Sequence, residues 1–449
     1  MNWASAVSEQ ADLTRAVEEC AGGVRSRLGD LAPDLAVIFV SSHYERDYDD
    51  VARHVEENLA TARIFGCSSG GVIGGGLEVE QRPAVSITAA VLPGVEIVGF
   101  YLDQENLPDP DSGPGAWEEL AKVSPGQDPQ FIMLADPLSF QVQDLLMGLD
   151  FAFTRSAKIG GLASSGDQQG RNALFLDGQV SRSGAVGLAL HGNISVDTVV
   201  AQGCRPIGRP MRVTQSRRNL LTGLEGQPPL TVMKELFGGI NRRDQELMRH
   251  SLFLGVVMDE LIEAPKQGDF LIRNVVGIDA RTGILAIGEL LKEGQLVQFH
   301  LRDAETSAED LTAVLERYAM DKRENQVQGA LLFSCLGRGQ HLYGRPNHDS
   351  DIFRQKLGRC PWVGFSATGR SARSAARPSS MATPARSPCS GPSFSGCLEE
   401  RSGGRGRGSS VSPSPVNQAQ LRPSLLFQLY RVAEHANPFH FDFADVAVM

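Results

Sequence analysis

Two short runs place glycine, cysteine and serine directly after apolar strands. Gly66, Cys67, Ser68, Ser69 and Gly70 form one; Gly160, Gly161, Ser164 and Ser165 form the other. Turns of this composition present backbone N–H groups and hydroxyls that can hold a carboxylate or phosphate. Their plain alternative is tight-turn geometry alone, since glycine tolerates positive φ. The glycines around Gly74 do not end in the Gly-Lys-Ser/Thr of a phosphate loop. Cys67 stands where a nucleophile is presented, but no histidine accompanies it in sequence as a base. The second run has Gly161 at the matching place. A thiol enzyme built on Cys67 or Cys335 would need a low-pKa cysteine. Arg338 follows a third apolar strand and suits a two-pronged grip on a carboxylate. Asn347, His348 and Asp349 offer a polar lip, or an Asx turn that opens a helix. As a metal cluster they have no further ligand nearby. The expected chemistry is therefore ligand binding, with no catalytic set, no metal and no cofactor.

These residues are carried by one arrangement that occurs three times. An apolar strand and a helix lead to a second short strand rich in small residues, at 36–40 to 64–71, at 131–134 to 158–166, and at 330–334 to 362–365. The spacing of about 30 residues suits a strand, a crossover helix and a parallel return strand. It implies a duplicated scaffold whose Gly/Ser turns face a shared cleft. Residues 8–30 read as an opening helix with Leu13, Val17, Ala21 and Val24 on one face and Gly29 near its end. Residues 51–59 read as a helix. Strands at 84–92 and 95–102 flank a Pro93-Gly94 turn and are expected as antiparallel neighbours. Further strands are expected at 173–176, 184–190 and 198–202, with reversals at Asp177-Gly178 and Gly192-Asn193. Residues 205–230, with Pro206, Gly208, Pro210, Pro228 and Pro229, read as a linker. Beyond it lie a helix at 230–236, strands at 252–258, 269–276, 284–287 and 296–301, and an amphipathic helix at 308–322. Leu311, Val314, Leu315 and Tyr318 share one face of that helix. The expected fold class is α/β, with mixed parallel and antiparallel sheets, covering helices, repeated β-α-β-plus-meander units and a disordered tail. The units are a helix at 1–29, one domain at 30–205, a second at 206–365, and an aberrant tail at 366–449.

A chain of 449 residues has room for two or three cores without staples. Its net charge of −10 argues against a nucleic-acid or anionic-membrane partner. The N-terminus has no basic-then-apolar leader, and no stretch approaches a membrane span of about 20 apolar residues. The seven cysteines are scattered without C-x-x-C spacing. They read as reduced thiols, and the expected location is cytoplasmic.

The run from Ile64 through Cys67, Ser69 and Gly71 to Ile73, and that from Ile159 through Gly161 to Gly166, resemble the N-terminal domain of FIST proteins. The run Leu332 to Gly339, with Tyr343, Gly344, Asn347, Asp349 and Phe353, resembles the FIST C-terminal domain. The resemblance covers roughly residues 30–365 and implies an intracellular sensory or signal-transduction module. It implies a small-molecule ligand, an amino acid or related carboxylate, and a signalling protein as partner. Some relatives carry an F-box and serve as ubiquitin-ligase adaptors; residues 1–35 contain no such segment. After Phe365 the resemblance stops, where the family continues with an Asn-Gly-Glu-Ile-Gly-Pro segment and then His-Gly-Tyr-Thr. Codons for Thr368 to Ser371, read one base displaced, can spell Asn-Gly-Glu-Ile, and those around Met381 can spell His-Gly. The tail from Ser366 therefore reads as out-of-frame sequence, the alternative being a genuine disordered basic tail.

Overall fold

The computed structural model describes residues 1–109, 111–259, 262, 264–321, 327–358, 362–367 and 444–448. The chain opens with a strand, β1 (Asn2–Ser8), which pairs antiparallel with β6 (Val85–Val91). The helix expected from residue 8 therefore begins later, as α1 (Leu13–Leu28). Asp12 caps it by accepting from the Arg15 N–H, and Gly29 closes it at φ 65°. Leu13, Val17, Ala21 and Val24 are all buried on its inner face. Between these elements lie β2 (Leu35–Ser41), α2 (Val51–Asn58), β3 (Ile64–Ser69), β4 (Gly71–Gly74) and β5 (Leu77–Glu80). The next stretch contributes β7 (Val95–Leu102), α3 (Pro114–Ala121), β8 (Gln130–Ala135), α4 (Val142–Ala152) and β9 (Lys158–Leu162). It then runs through β10 (Leu174–Leu176), β11 (Gln179–Ser181), β12 (Ala185–Gly192) and β13 (Asp197–Ala201).

The first sheet has the order β1-β6-β2-β3-β10-β11, and the second β7-β12-β8-β9. The expected pairing of 84–92 with 95–102 is thus incorrect, because β6 and β7 belong to different sheets. At Leu92–Gly94 the chain crosses between layers. Asp34 accepts from the Leu92 N–H there, and Gly94 takes φ 78°. Asp177-Gly178 does reverse the chain, but into an extra short strand. Both residues have positive φ, and Leu176 pairs with Gln179 across a two-residue hairpin.

Residues 205–230 do not form a linker. They supply β14 (Arg205–Arg217) and β15 (Leu220–Leu224), the opening strands of a closed six-stranded barrel. Of the prolines that suggested a linker, Pro206 sits in register opposite His300, and Pro228 and Pro229 open α5. Pro210 lies in the register shift between Ile207 and Met211, where Gly208 has φ 66°. The barrel continues through α5 (Pro229–Gly239), α6 (Arg242–His250), β16 (Leu252–Val257), β17 (Phe270–Ile278), β18 (Leu285–Ile287) and β19 (Leu296–Leu301).

The remainder consists of α7 (Ala304–Asp321), β20 (Ala330–Cys335), α8 (Gln340–Tyr343), α9 (His348–Leu357), β21 (Trp362–Ala367) and β22 (Ala444–Val448). Their sheet has the order β13-β22-β20-β21-β4-β5. Hairpin β4–β5, drawn from the first hundred residues, thus completes a sheet whose other strands are β13 and three from the last part of the chain. Among the described tail residues, Ser366 and Ala367 end β21 and 444–448 form β22; the suspected change of frame otherwise concerns positions outside the described residues.

The three open sheets are mixed. Three parallel pairs, β2–β3, β8–β9 and β20–β21, are each joined across a helix, while their other neighbours are antiparallel. Inner faces meet in one apolar core where Phe39, Ile132, Leu188, Phe333 and Phe365 pack together. The Phe39 and Phe365 rings lie 4.5 Å apart. Outer faces are covered by α1 and α2, by α3 and α4, and by α7 and α9. The result is a mixed α/β fold with a barrel attached.

Candidate functional site

Gly66, Cys67, Ser68 and Ser69 lie within β3, and Gly160 and Gly161 within β9. The segments expected to be turns are buried strands up to these points, and only Gly70, Ser164 and Ser165 follow strand ends. The reason is backbone crowding. A Cβ on Gly66 would fall on the Ile38 carbonyl, and one on Gly160 on the Met133 carbonyl, each across its parallel pair. Gly364 stands in the same relation to Leu332 in the third pair. These glycines let a return strand approach its neighbour closely.

The carboxyl ends of β3, β9 and β20 converge. Gly70 donates to Ser164 Oγ at 3.0 Å, and a Cβ on Gly70 would come within 2.7 Å of Leu336, just past β20. In open α/β sheets such ends are where ligands collect. The hydroxyls here are already engaged. Ser68 Oγ accepts from the Ala173 N–H and from Ser165 Oγ, both at 2.7 Å. Ser69 Oγ donates to the Gly71 carbonyl at 2.9 Å. Ser165 Oγ also lies 2.9 Å from the Asn172 Oδ1, sharing its one proton between the two oxygens, and the Asn172 amide reaches the buried Asp136 at 2.9 Å. The Gly/Ser residues are therefore brought together as a knit rim.

Arg338 stands at the same end of the sheet but faces α9. Its Nε and Nη2 donate to the two oxygens of Asp349 at 2.7 and 3.1 Å, with both side chains essentially sealed from solvent. The two-pronged face of this guanidinium is thus spent on Asp349. Nη1 is buried with no hydrogen-bond partner, and it lies 2.8 Å from where a Cβ on Gly203 would sit. Gly203 has φ 67°, and its carbonyl accepts from Ser307 Oγ. Burial opposes charge on Arg338 and Asp349 alike, but their mutual attraction prevails. The guanidinium is held charged, and the carboxyl falls well below its usual range. His348 Nδ1 contacts Asp349 at 2.9 Å, and its ring stacks on Tyr343 at 3.4 Å. Arg302 is a second buried guanidinium nearby; burial and the Arg338 charge both press its pKa down.

Asn347 lies beside this cluster and does not cap α9. At φ 57° it turns its Oδ1 to accept from the Glu78 N–H at 2.7 Å. Glu78 in turn accepts from the Ser350 N–H at 2.6 Å. Hairpin β4–β5 is thus stitched to α9 at two points. Residues 34–227 match the FIST N domain and residues 229–372 the FIST C domain. The chain belongs to the FIST family. It is also similar to an uncharacterized protein of Mycobacterium tuberculosis (strain ATCC 25618 / H37Rv), 37% identical over 363 residues, covering 81% of this chain and 92% of the relative. An uncharacterized protein of Mycobacterium bovis is 35% identical over 358 residues, covering 80% and 90%. FIST domains are generally sensory or signal-transduction modules.

Within this FIST protein the four thiols among the described residues are buried. Burial pushes Cys67 well above the ordinary range, raises Cys335, and takes Cys204 and Cys20 up to about 12. Among the described residues no group of three or more His, Cys, Asp or Glu is placed to hold a metal, and no helix is long and apolar enough to cross a membrane. Glu78, Gly203, Arg302 and Ser307 were not singled out from the sequence. Glu78 alternates with Leu77, Val79 and Glu80 as an exposed edge strand would, and nothing local marks it as buried. A lone glycine after a strand was the available signal at Gly203.

Proposed function

We propose that this FIST protein is a cytoplasmic sensor of a small anionic metabolite, a carboxylate with amino acids among the candidates. The observation that supports this is the buried Arg338 guanidinium, held charged by Asp349 and with Nη1 left without a partner. A buried donor of this kind costs about 1–3 kcal/mol while unmet, which a ligand oxygen would recover. In this reading the ligand reaches Arg338 Nη1 as the Gly203 segment gives way, on the side of the rim formed by Gly70, Ser164 and Leu336. Its charge is registered through Asp349 and α9 by hairpin β4–β5, shifting how the two FIST domains hold each other.

The test is thermal unfolding with a panel of amino acids, dicarboxylates, sulfate and phosphate. A ligand at 100 times its Kd adds about 2.7 kcal/mol to stability. The wild type should respond to one class, and the double variant Arg338→Met/Asp349→Leu should fold yet not respond. Equal responses from both chains would refute the role of Arg338. A second reading, a docking module for a signalling protein, draws support from α4. Met147 and Phe151 lie one turn apart there, 60% and 57% exposed. It predicts a folded chain that no small ligand stabilises.

A further inference from the structure

We propose that Glu78 and Asp349 form a proton-operated latch between hairpin β4–β5 and helix α9. A proton on Glu78 holds the hairpin on the helix, and its loss loosens that contact. This goes beyond ligand sensing and does not depend on it.

The geometry sets two buried carboxyl groups near one another, Glu78 and Asp349, of which Asp349 holds the buried cation Arg338. Glu78 is 9% exposed and is fixed at both ends, its N–H to Asn347 and its carboxylate to the Ser350 N–H. Asp349 precedes Ser350 on the same helical turn and is 2% exposed. Arg338 is already committed to Asp349 through two bonds, and His348 also leans on Asp349. The other charged groups around the hairpin are engaged elsewhere. Arg354 donates to the Gly76 carbonyl and pairs with Asp351, and Glu80 accepts from the Gln340 N–H. Tyr343 faces the same cluster and carries no compensating charge. Burial first, and the Asp349 charge second, raise the Glu78 carboxyl from an ordinary 4.5 to about 7, against the downward pull of the Ser350 N–H.

The direction of the effect follows from proton binding. The docked hairpin binds the Glu78 proton more tightly than an undocked one with an ordinary carboxyl. Docking is therefore favoured fully below pH 4.5, weakens as pH rises toward 7, and stays weak above it. A difference between 4.5 and about 7 corresponds to a change on the order of a hundredfold in the docking equilibrium.

The experiment is hydrogen exchange of the amides at 77–80 and 348–352 between pH 5 and 8.5, corrected for intrinsic base catalysis. Wild-type protection should fall on the order of a hundredfold across this range. Glu78→Gln, which keeps the acceptor without the charge, should stay protected throughout. Identical profiles for the two chains would overturn the proposal. Should Glu78→Gln fold poorly, an infrared titration of the wild type decides the matter. A protonated-carboxyl band lost near pH 7 supports the latch, and no carboxyl proton released above pH 5.5 overturns it.

Discussion

Replacing Asp349 with alanine should be among the most damaging single changes available to this protein. It leaves the Arg338 guanidinium sealed in the interior with neither of its two carboxylate bonds. Breaking a buried ion pair on one side costs about 3–5 kcal/mol, because the surviving charge keeps its desolvation penalty. At an unfolding entropy of about 2.1 cal/mol/K per residue, the roughly 360 described residues give about 0.76 kcal/mol/K. A loss of about 4 kcal/mol then lowers the midpoint by about 5 °C. The assay is calorimetry of the wild type, Asp349→Ala, and the double replacement Arg338→Met/Asp349→Leu. The double variant should unfold within about 1–2 °C of the wild type or above it, since an apolar pair of similar volume removes both charges together. An Asp349→Ala protein that loses less than about 1 kcal/mol would refute the reasoning. It would mean that water reaches Arg338, and the sealed, unmet Nη1 behind the sensor proposal would fall with it.

Gly66→Ala and Gly160→Ala should each destabilise by at least about 1–3 kcal/mol in denaturant titration, since the new Cβ forces a return strand off its parallel partner. An alanine at the helical Gly22, with open space around it, is the control and should be neutral or better. Cys20, Cys67, Cys204 and Cys335 should react with iodoacetamide only as fast as the chain opens, because all four are buried with raised pKa values. Fast labelling of Cys67 or Cys335 in the folded chain would support the thiol-enzyme alternative.

The local elements were largely legible, and the partners of those elements much less so. The face of α1 and the hairpin at Asp177-Gly178 follow from periodicity and turn chemistry that act within a few residues. The assignment of β6 and β7 to different sheets does not, since a Pro-Gly reversal looks the same whether strands pair across it or separate into two layers. The barrel strand β14 was hidden by Pro206 and Pro210, which read as breaks, although Pro206 stays in register with His300 and Met211 rejoins the ladder beyond the bulge at Pro210. Of the candidate site, Arg338 and Asn347 could be picked out by residue type. Their partners Asp349 and Glu78 could not be assigned in advance, because the charge of Arg338 is answered by an acid eleven residues on and that of Asp349 is crowded by one from the far end of the chain.

Hairpin β4–β5 lies inside the stretch that matches the FIST N domain, yet its sheet neighbour is β21, in the FIST C stretch. A cut near residue 228 would strip the C-terminal fragment of β4, β5 and β13 from that sheet and of β14 and β15 from the barrel, and leave the N-terminal fragment with a ribbon it cannot cover. Val72, Ile73 and Val79 would pass from the interior to water on one side, and β21 would offer a raw, pairing-ready edge on the other. The two matched regions are thus separable as text but not as solids. Duplication, fusion or loss of one without the other would yield a sticky half-protein, a physical reason for the pair to travel through evolution as one inheritance.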